Sequence, residues 1–281
     1  MKEFVLGIYH NTEWLYTKLI ESKLFFIDLW SFEHFYSGIL ISVVLISWAK
    51  KNRWIILFSI LFSYEIFEIL IRYFALHIFL PETIKDQFTD IILGLLGGLF
   101  VELNLVSLVN RDQEKKKIYI ENIVALLISV QISFWWVGSY KYEYNYSFLN
   151  SAGINFAAFF AWSIGLFIVY KIYSSLNRII TNNILSFGLH YLIYLFLLFT
   201  FELLTYNVLG IKEISNKEKT PLIFNLIHGT TALHVAYFLL PAINYYLIKL
   251  FIKVANKAQR NYILIKNGNE LLSNKIFPPV E

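Results

Sequence analysis

The sequence predicts an all-α, polytopic integral membrane protein with about seven transmembrane helices, preceded by an N-terminal interfacial amphipathic helix. Of its 281 residues, 57% are hydrophobic and 19% aromatic, and the mean hydropathy is +0.56. Soluble domains are only about 45–50% apolar. The excess apolar residues form runs of roughly 18–27 residues, which is the length that a helix needs to cross a hydrocarbon core of about 30 Å. Lysine and arginine collect between these runs.

The predicted elements follow in order along the chain. Residues 11–27 alternate apolar and charged side chains at helical spacing, which predicts an amphipathic helix on the membrane surface within an N-terminal segment, 1–31. A single transmembrane domain is predicted over residues 32–254, followed by a polar cytoplasmic tail over residues 255–281. The predicted spans are residues 32–49, 54–80, 87–109, 118–138, 151–171, 184–208 and 221–248.

Basic residues predict the orientation of these spans. They are concentrated in alternate loops and after the last span: Lys50, Lys51, Arg53, Arg111, Lys115, Lys116, Lys117, Lys171, Arg178, Lys249, Lys253, Lys257, Arg260 and Lys266. Cytoplasmic loops are the ones enriched in lysine and arginine. We therefore expect the N-terminus outside and the C-terminus in the cytoplasm.

Composition also excludes several classes of function. The chain has no cysteine, so disulfides, thiolate nucleophiles and cysteine-ligated metal centres are excluded. The net charge is only +4, and the lysines fall mostly in loops and in the tail. Anionic lipid headgroups account for them, so membrane lipids are expected partners and nucleic acid is not. Protein partners within the membrane are also compatible with this composition.

Three ionisable side chains lie within the second predicted span. Glu65, Glu68 and Arg72 stand at positions i, i+3 and i+7, so they share one face of a helix. At a rise of about 1.5 Å per residue, Glu65 lies near the middle of the membrane and Arg72 near its outer surface. An ionisable group at the bilayer centre costs about 2.5 kcal/mol or more. The stretch therefore predicts a buried partner or a wet cavity.

Further polar residues of the predicted spans fall in the same outer half of the membrane. The predicted catalytic residues are Glu65, Glu68, Asp90 and His34, and the predicted substrate-binding residues are Arg72, Asp86, His228, Asn225 and Glu202. Such carboxylates and histidines supply general acid–base groups, and they are also ligands for a divalent metal. The sequence alone leaves a metal or other cofactor undecided. Purely structural roles also stay open: Arg72 can extend to the interface, and Asp86 can cap a helix.

Gly94 and Gly98 form a G-x-x-x-G pair after Asp90 in the third span. Small residues at this spacing let another helix approach closely. Asp90 and Gly94 are four residues apart and share a face. We expect the second span, which carries Glu65, to pack on this face because only a short loop joins the two spans.

Eight residues of the first three spans form one pattern of acids, a histidine, an arginine and a glycine: Glu33, His34, Glu65, Glu68, Arg72, Asp86, Asp90 and Gly94. Residues 29–98, which contain this pattern, resemble the VanZ-like membrane protein family. Glu68 stands where that family usually has an amide, and Asp90 where it usually has an asparagine, which would make the site more negative. The resemblance implies a cell-envelope protein, which we expect in the bacterial inner (plasma) membrane.

These features support three functions of different classes. The first is an enzyme or lipid-handling protein that acts on a lipid or lipid-linked substrate through its carboxylate and histidine groups. The second is a proton- or cation-coupled transporter, because buried acids mark such pathways. The third is a non-catalytic subunit of a membrane complex, in which buried charges hold helices in register.

Overall fold

A computed structural model describes residues 12–48, 52–71, 83–109, 111–215 and 229–276 of the chain. These residues form seven α-helices and one short β-hairpin, which confirms the predicted all-α class. The strands are β1 (Lys18–Glu21) and β2 (Phe26–Asp28). The helices are α1 (Leu29–Ser47), α2 (Arg53–Ile71), α3 (Ile84–Leu108), α4 (Gln113–Tyr140), α5 (Phe156–Ile179), α6 (Asn183–Leu203) and α7 (Thr231–Ile276).

Six helical stretches of the described residues are long and apolar enough to cross a membrane. They are Leu29–Ser47, Ile84–Leu108, Gln113–Tyr140, Phe156–Ile179, Ile184–Val208 and Thr231–Leu264. The protein is therefore a multi-pass helical membrane protein. The predicted span over residues 54–80 coincides with α2 as far as Ile71, and residues 72–80 lie outside the described part of the chain. A seventh span thus stays a prediction.

The segment before α1 corrects the prediction of an amphipathic helix over residues 11–27. A single 3₁₀ turn (Glu13–Tyr16) precedes the antiparallel pair of β1 and β2. The hydroxyl of Ser22 accepts the backbone N–H of Phe25 at 2.9 Å and closes the turn between the strands. Such local side-chain bonds compete with helix formation, and aromatic and β-branched residues such as Phe26 and Ile27 favour extended backbone. The charged residues Lys18, Glu21 and Asp28 therefore lie in strands and not on one face of a helix.

The described chain divides into two compact units, whose boundaries fall inside α4 and α7. The first comprises the described residues within Met1–Glu121 and Leu250–Glu281, and the second those within Asn122–Lys249. In the first unit, α1, α2 and α3 pack together around a core of buried leucines from α1 and α2: Leu45, Leu57 and Leu61. At one end of the three helices, Arg53 forms an ion pair with Glu102 at 2.8 Å.

Close approach of α1 and α3 depends on glycine. A Cβ atom at Gly38 would lie 2.7 Å from the carbonyl carbon of Gly94 and 2.9 Å from its Cα. The other side of the same α3 segment contacts α2, because a Cβ at Gly94 would meet Leu61 at 2.7 Å and one at Gly98 would meet Leu57 at 2.6 Å. The predicted packing of the second span on the G-x-x-x-G face is thus confirmed, and α1 contacts the same stretch of α3.

The second unit joins the later helices by buried polar contacts. The hydroxyl of Ser129 on α4 donates to Asn244 on α7 at 3.3 Å, and the amide of Asn244 donates to the carbonyl of Leu166 on α5 at 3.2 Å. Asn155 and Asn182 cap the N-termini of α5 and α6 through their side-chain oxygens. The bonds of Ser129 and Asn244 satisfy buried polar groups among these helices, as membrane helices require.

The polar tail predicted over residues 255–281 begins inside a helix. α7 continues to Ile276, and both Ala258 and Tyr262 are buried in the first unit. The amide of Asn261 donates to the carbonyl of Ser47 at the end of α1 at 2.6 Å. The first part of this segment therefore packs against the three-helix bundle.

Candidate functional site

Helix starts place a group of polar side chains at one end of α1, α2 and α3. Asp28 caps α1, because its carboxylate accepts the backbone N–H of Ser31 at 3.0 Å, and the Ser31 hydroxyl accepts the N–H of Asp28 at 3.3 Å. This reciprocal capping box satisfies donors that a helix N-terminus otherwise leaves free. His34 follows one turn later in α1. Asp86 and Asp90 lie in the first two turns of α3, which Thr83 caps.

His34 lies between two carboxylates. Its Nδ1 is 3.6 Å from Glu65 Oε1 on α2, and its Nε2 is 3.5 Å from Asp90 Oδ2 on α3. The three residues are 8%, 4% and 3% exposed, respectively. One ligand atom from each lies within 4.8 Å of the other two. The three side chains thus form a compact buried group, which we call the His–Glu–Asp cluster.

Ser31 connects the cluster to the cap of α1. Its hydroxyl is 3.0 Å from Asp90 Oδ1 and 3.3 Å from Asp28 Oδ1. A hydroxyl has one proton, so it donates to one of these carboxylates at a time. Burial raises the pKa of Asp28, and the hydrogen bonds from Ser31 oppose that shift. A proton held by Asp28 would leave the Ser31 hydroxyl free to donate to Asp90.

Glu65 is the least satisfied member of the cluster. Neither of its carboxylate oxygens has a hydrogen-bond partner among the described residues, although both are buried. Its Oε1 is 3.6 Å from His34 Nδ1, which is too long for a good hydrogen bond. Burying a carboxylate without a partner is expensive, so such a group holds a proton or binds a cation.

Among the described residues around the cluster, negative charge exceeds positive charge. Asp86 is buried with one oxygen unpartnered, and it lies near enough to Glu68 and Asp28 to repel them electrostatically. Lys85 lies nearby, but its ammonium group donates to Glu21 and to the carbonyl of Ser22 in the hairpin. The arrangement therefore favours binding of protons or cations over binding of anions.

Several predicted site residues thus come together. Four of them are buried at one end of α1, α2 and α3: His34, Glu65, Asp86 and Asp90. Glu68 is half-buried beside them. The other predicted residues near the membrane surface, Arg72, Asn225 and His228, lie outside the described residues.

Two residues of the site, Asp28 and Ser31, were not among the predicted ones. Their signal was present in the sequence, because Asp-x-x-Ser before an apolar run is typical of a helix N-terminus. The predicted interfacial segment, residues 1–31, includes both Asp28 and Ser31. The hydrogen bond from Ser31 to Asp90 needs the packing of α1 on α3, which helix-start signals do not specify.

Apolar packing separates the cluster from the opposite end of the same three helices. Leu57 and Leu61 of α2 fill the space against Gly98 and Gly94 of α3. Beyond them, Glu102 accepts from Arg53 at 2.8 Å and from the Trp54 indole at 2.9 Å. Within the described part of the first unit, the cluster is therefore a site at one end of the bundle.

Glu202, predicted to bind substrate, lies in the second unit. It is buried and accepts a hydrogen bond from the hydroxyl of Tyr237, while its Oε2 has no partner among the described residues. Trp162 stacks on Tyr237 with ring centroids 5.6 Å apart. The Tyr142 hydroxyl accepts the indole N–H groups of Trp136 and Trp162 at 3.0 and 2.9 Å. Glu202 thus belongs to an aromatic environment of its own, and its role in binding stays a prediction.

Comparisons with models of protein families, with curated proteins and with solved structures found no match for this chain. The fold and the site define its class as a multi-pass helical membrane protein that contains a buried histidine–carboxylate group. Its function is inferred from the chemistry of that group.

Proposed function

We propose that the protein is an enzyme of the cell-envelope membrane that acts on a lipid or lipid-linked substrate at the His–Glu–Asp cluster. One observation supports this most directly. Each ring nitrogen of His34 faces a different buried carboxylate, Glu65 or Asp90, at 3.6 and 3.5 Å. A histidine between two acids can accept a proton on one side and pass one on from the other.

The position of the cluster favours a substrate that enters from the membrane or its surface. It lies at the N-terminal ends of α1 and α3, beside the hairpin that precedes α1. The hairpin exposes Leu24 and Phe25, which suit an apolar environment at the lipid boundary. With the orientation expected from the basic loops, this end lies in the outer half of the bilayer. The VanZ-like resemblance of residues 29–98 concerns the same polar residues.

A proton- or cation-coupled transporter is the weaker alternative. Transport needs access to the buried acids from both sides of the membrane. In the described part of the first unit, Leu57 and Leu61 close the space between the cluster and Glu102. No observation favours a transporter over an enzyme at this site.

A reconstituted lipid assay tests the enzymatic role. The full-length protein in nanodiscs is incubated with a total lipid extract, and the lipid composition is followed by mass spectrometry. We expect one lipid species to be converted, and Asp90→Asn and His34→Gln to reduce its rate of conversion roughly 10²-fold or more, because general acid–base groups contribute about that much.

Glu102→Gln serves as the matched control, since it changes a carboxylate at the opposite end of the same helices. Size-exclusion chromatography and thermal unfolding establish that each variant is folded. If folded wild-type protein converts no lipid, the enzymatic role is rejected. If Asp90→Asn and His34→Gln are folded and fully active, the chemistry does not occur at the cluster.

A further inference from the structure

We infer that the His–Glu–Asp cluster binds one divalent transition-metal ion, with His34, Glu65 and Asp90 as its protein ligands. This inference rests on the proposed function and changes the role of His34 within it. With the ion bound, His34 would be a ligand and would not transfer protons, and the ion would supply the activation of substrate or water. The binding itself is measured without an activity assay. One imidazole nitrogen and two carboxylate oxygens form a ligand set that suits zinc or manganese. Magnesium and calcium prefer oxygen ligands alone, so the histidine favours a transition metal.

The distances within the cluster suit an ion better than direct hydrogen bonds. His34 Nδ1 is 3.6 Å from Glu65 and His34 Nε2 is 3.5 Å from Asp90, both beyond the usual hydrogen-bond range. Because these are opposite ring nitrogens, one ion would bind only one of them, and the carboxylate that faces the other nitrogen would have to turn toward that ion. Two ligand atoms that each lie about 2.0–2.2 Å from a tetrahedral zinc ion are roughly 3.3–3.6 Å apart. All three candidate ligand atoms lie within 4.8 Å of one another. Side-chain adjustments of about 1 Å would therefore bring them to one ion.

Glu65 supplies an independent reason for a ligand at this position. Both of its oxygens are buried without a hydrogen-bond partner among the described residues, and the side chain is directed at His34. An ion of charge +2 would neutralise the carboxylates of Glu65 and Asp90 together. It would also reduce their repulsion from Asp86, which is buried nearby.

Ser31 holds Asp90 in a suitable position. Its hydroxyl lies 3.0 Å from Asp90 Oδ1, which leaves Oδ2 directed at His34. Hydrogen bonds of this kind orient metal-binding carboxylates, and their removal typically weakens metal binding about 10–100-fold. Ser31 is thus a positioning residue, whose substitution tests the geometry without removing a ligand.

Metal binding can be measured on the purified full-length protein in nanodiscs. The protein is stripped with a chelator and titrated with Zn²⁺, Mn²⁺ or Mg²⁺ alone, and cobalt(II) serves as a spectroscopic probe of the ligand geometry. We expect one Zn²⁺ or Mn²⁺ per chain, tighter than Mg²⁺. His34→Gln, Glu65→Gln and Asp90→Asn should each weaken binding at least 100-fold, and Ser31→Ala about 10–100-fold. Glu102→Gln should bind like the wild type.

The outcomes separate the metal from the proposed reaction. The inference is overturned if the folded wild-type protein binds none of these ions at one per chain. It is also overturned if the double variant Glu65→Gln and Asp90→Asn still binds the ion. If the chelator-treated protein binds none of the added ions but still converts lipid, the metal site is rejected while the enzymatic role stands. If the ion binds as expected but no lipid is converted, the metal site stands and the enzymatic role is rejected.

Discussion

Replacing Gly38 by alanine should separate α1 from α3 and weaken the candidate site, although Gly38 lies outside the His–Glu–Asp cluster. Gly38 is four residues after His34, and its partner Gly94 is four residues after Asp90. Residues four apart lie one above the other on a helix face. The contact between the two glycines therefore lies one turn from the pair His34–Asp90 and sets the distance between their side chains.

The expected displacement follows from the backbone contact. A Cβ at Gly38 would lie 2.7 Å from the carbonyl carbon of Gly94, whereas an ordinary contact begins at 3.4 Å. The helices must therefore move apart by at least about 0.7 Å, because no flexible side chain can give way. Overpacking of this kind costs about 1–3 kcal/mol, which corresponds to a drop of roughly 2–12 °C in unfolding temperature.

Thermal unfolding and cobalt(II) titration of Gly38→Ala in nanodiscs measure both consequences. Gly165→Ala is the matched control, because a Cβ at Gly165 of α5 meets nothing within 4 Å. Alanine there should leave stability unchanged or raise it by about 0.5–1 kcal/mol. Equal unfolding temperatures and equal cobalt affinities for the two variants would refute the proposed role of the glycine contact.

Two helix caps give further predictions. Asp28→Ala should cost about 1 kcal/mol through loss of the α1 cap, whereas Asp28→Asn keeps the cap. Burial raises the pKa of Asp28 above its ordinary 3.8. The wild type therefore loses stability as pH rises through that raised pKa. The unfolding temperature of Asp28→Asn relative to that of the wild type should accordingly increase from pH 4 to 7. Asn182→Ala should cost about 1 kcal/mol at all pH values, since Asn182 caps α6 without a titrating group; a pH-dependent loss there would contradict this account.

The transmembrane helices could be predicted from the sequence because each contains a long run of mostly apolar residues. The predicted span over residues 87–109 and the helix Ile84–Leu108 differ by only a few residues at each end. The hairpin could not be predicted in the same way. Its alternation of apolar and charged residues fits either a strand or an amphipathic helix over so short a length. The side-chain hydrogen bonds of Ser22 favour the turn, and periodicity does not include them.

The candidate site was predictable in part for a related reason. Depth along a span follows from counting residues, so Glu65 and Asp90 could both be assigned to the outer half of the membrane. Depth does not say which helices are neighbours. Glu202 was grouped with them by depth, whereas its observed hydrogen bond comes from Tyr237 in the second unit. The contact between His34 and both acids also depends on how α1, α2 and α3 are rotated about their axes. Residue spacing shows which side chains share a face of one helix, but spacing alone does not specify which faces of the three helices meet.

One pattern in the sequence indicates which faces of α1 and α3 meet. The histidine of α1 and the aspartate of α3 are each followed four residues later by a glycine, and both pairs, His34–Asp90 and Gly38–Gly94, are 56 residues apart. Two parallel helices that meet through glycine at the second pair must also meet at the first, because each pair lies on one face. The two glycines are enough to explain the close backbone contact between α1 and α3. Two ionisable residues facing each other at a cost of several kcal/mol need a further reason. A bound ion or a shared proton supplies one, and helix packing alone does not.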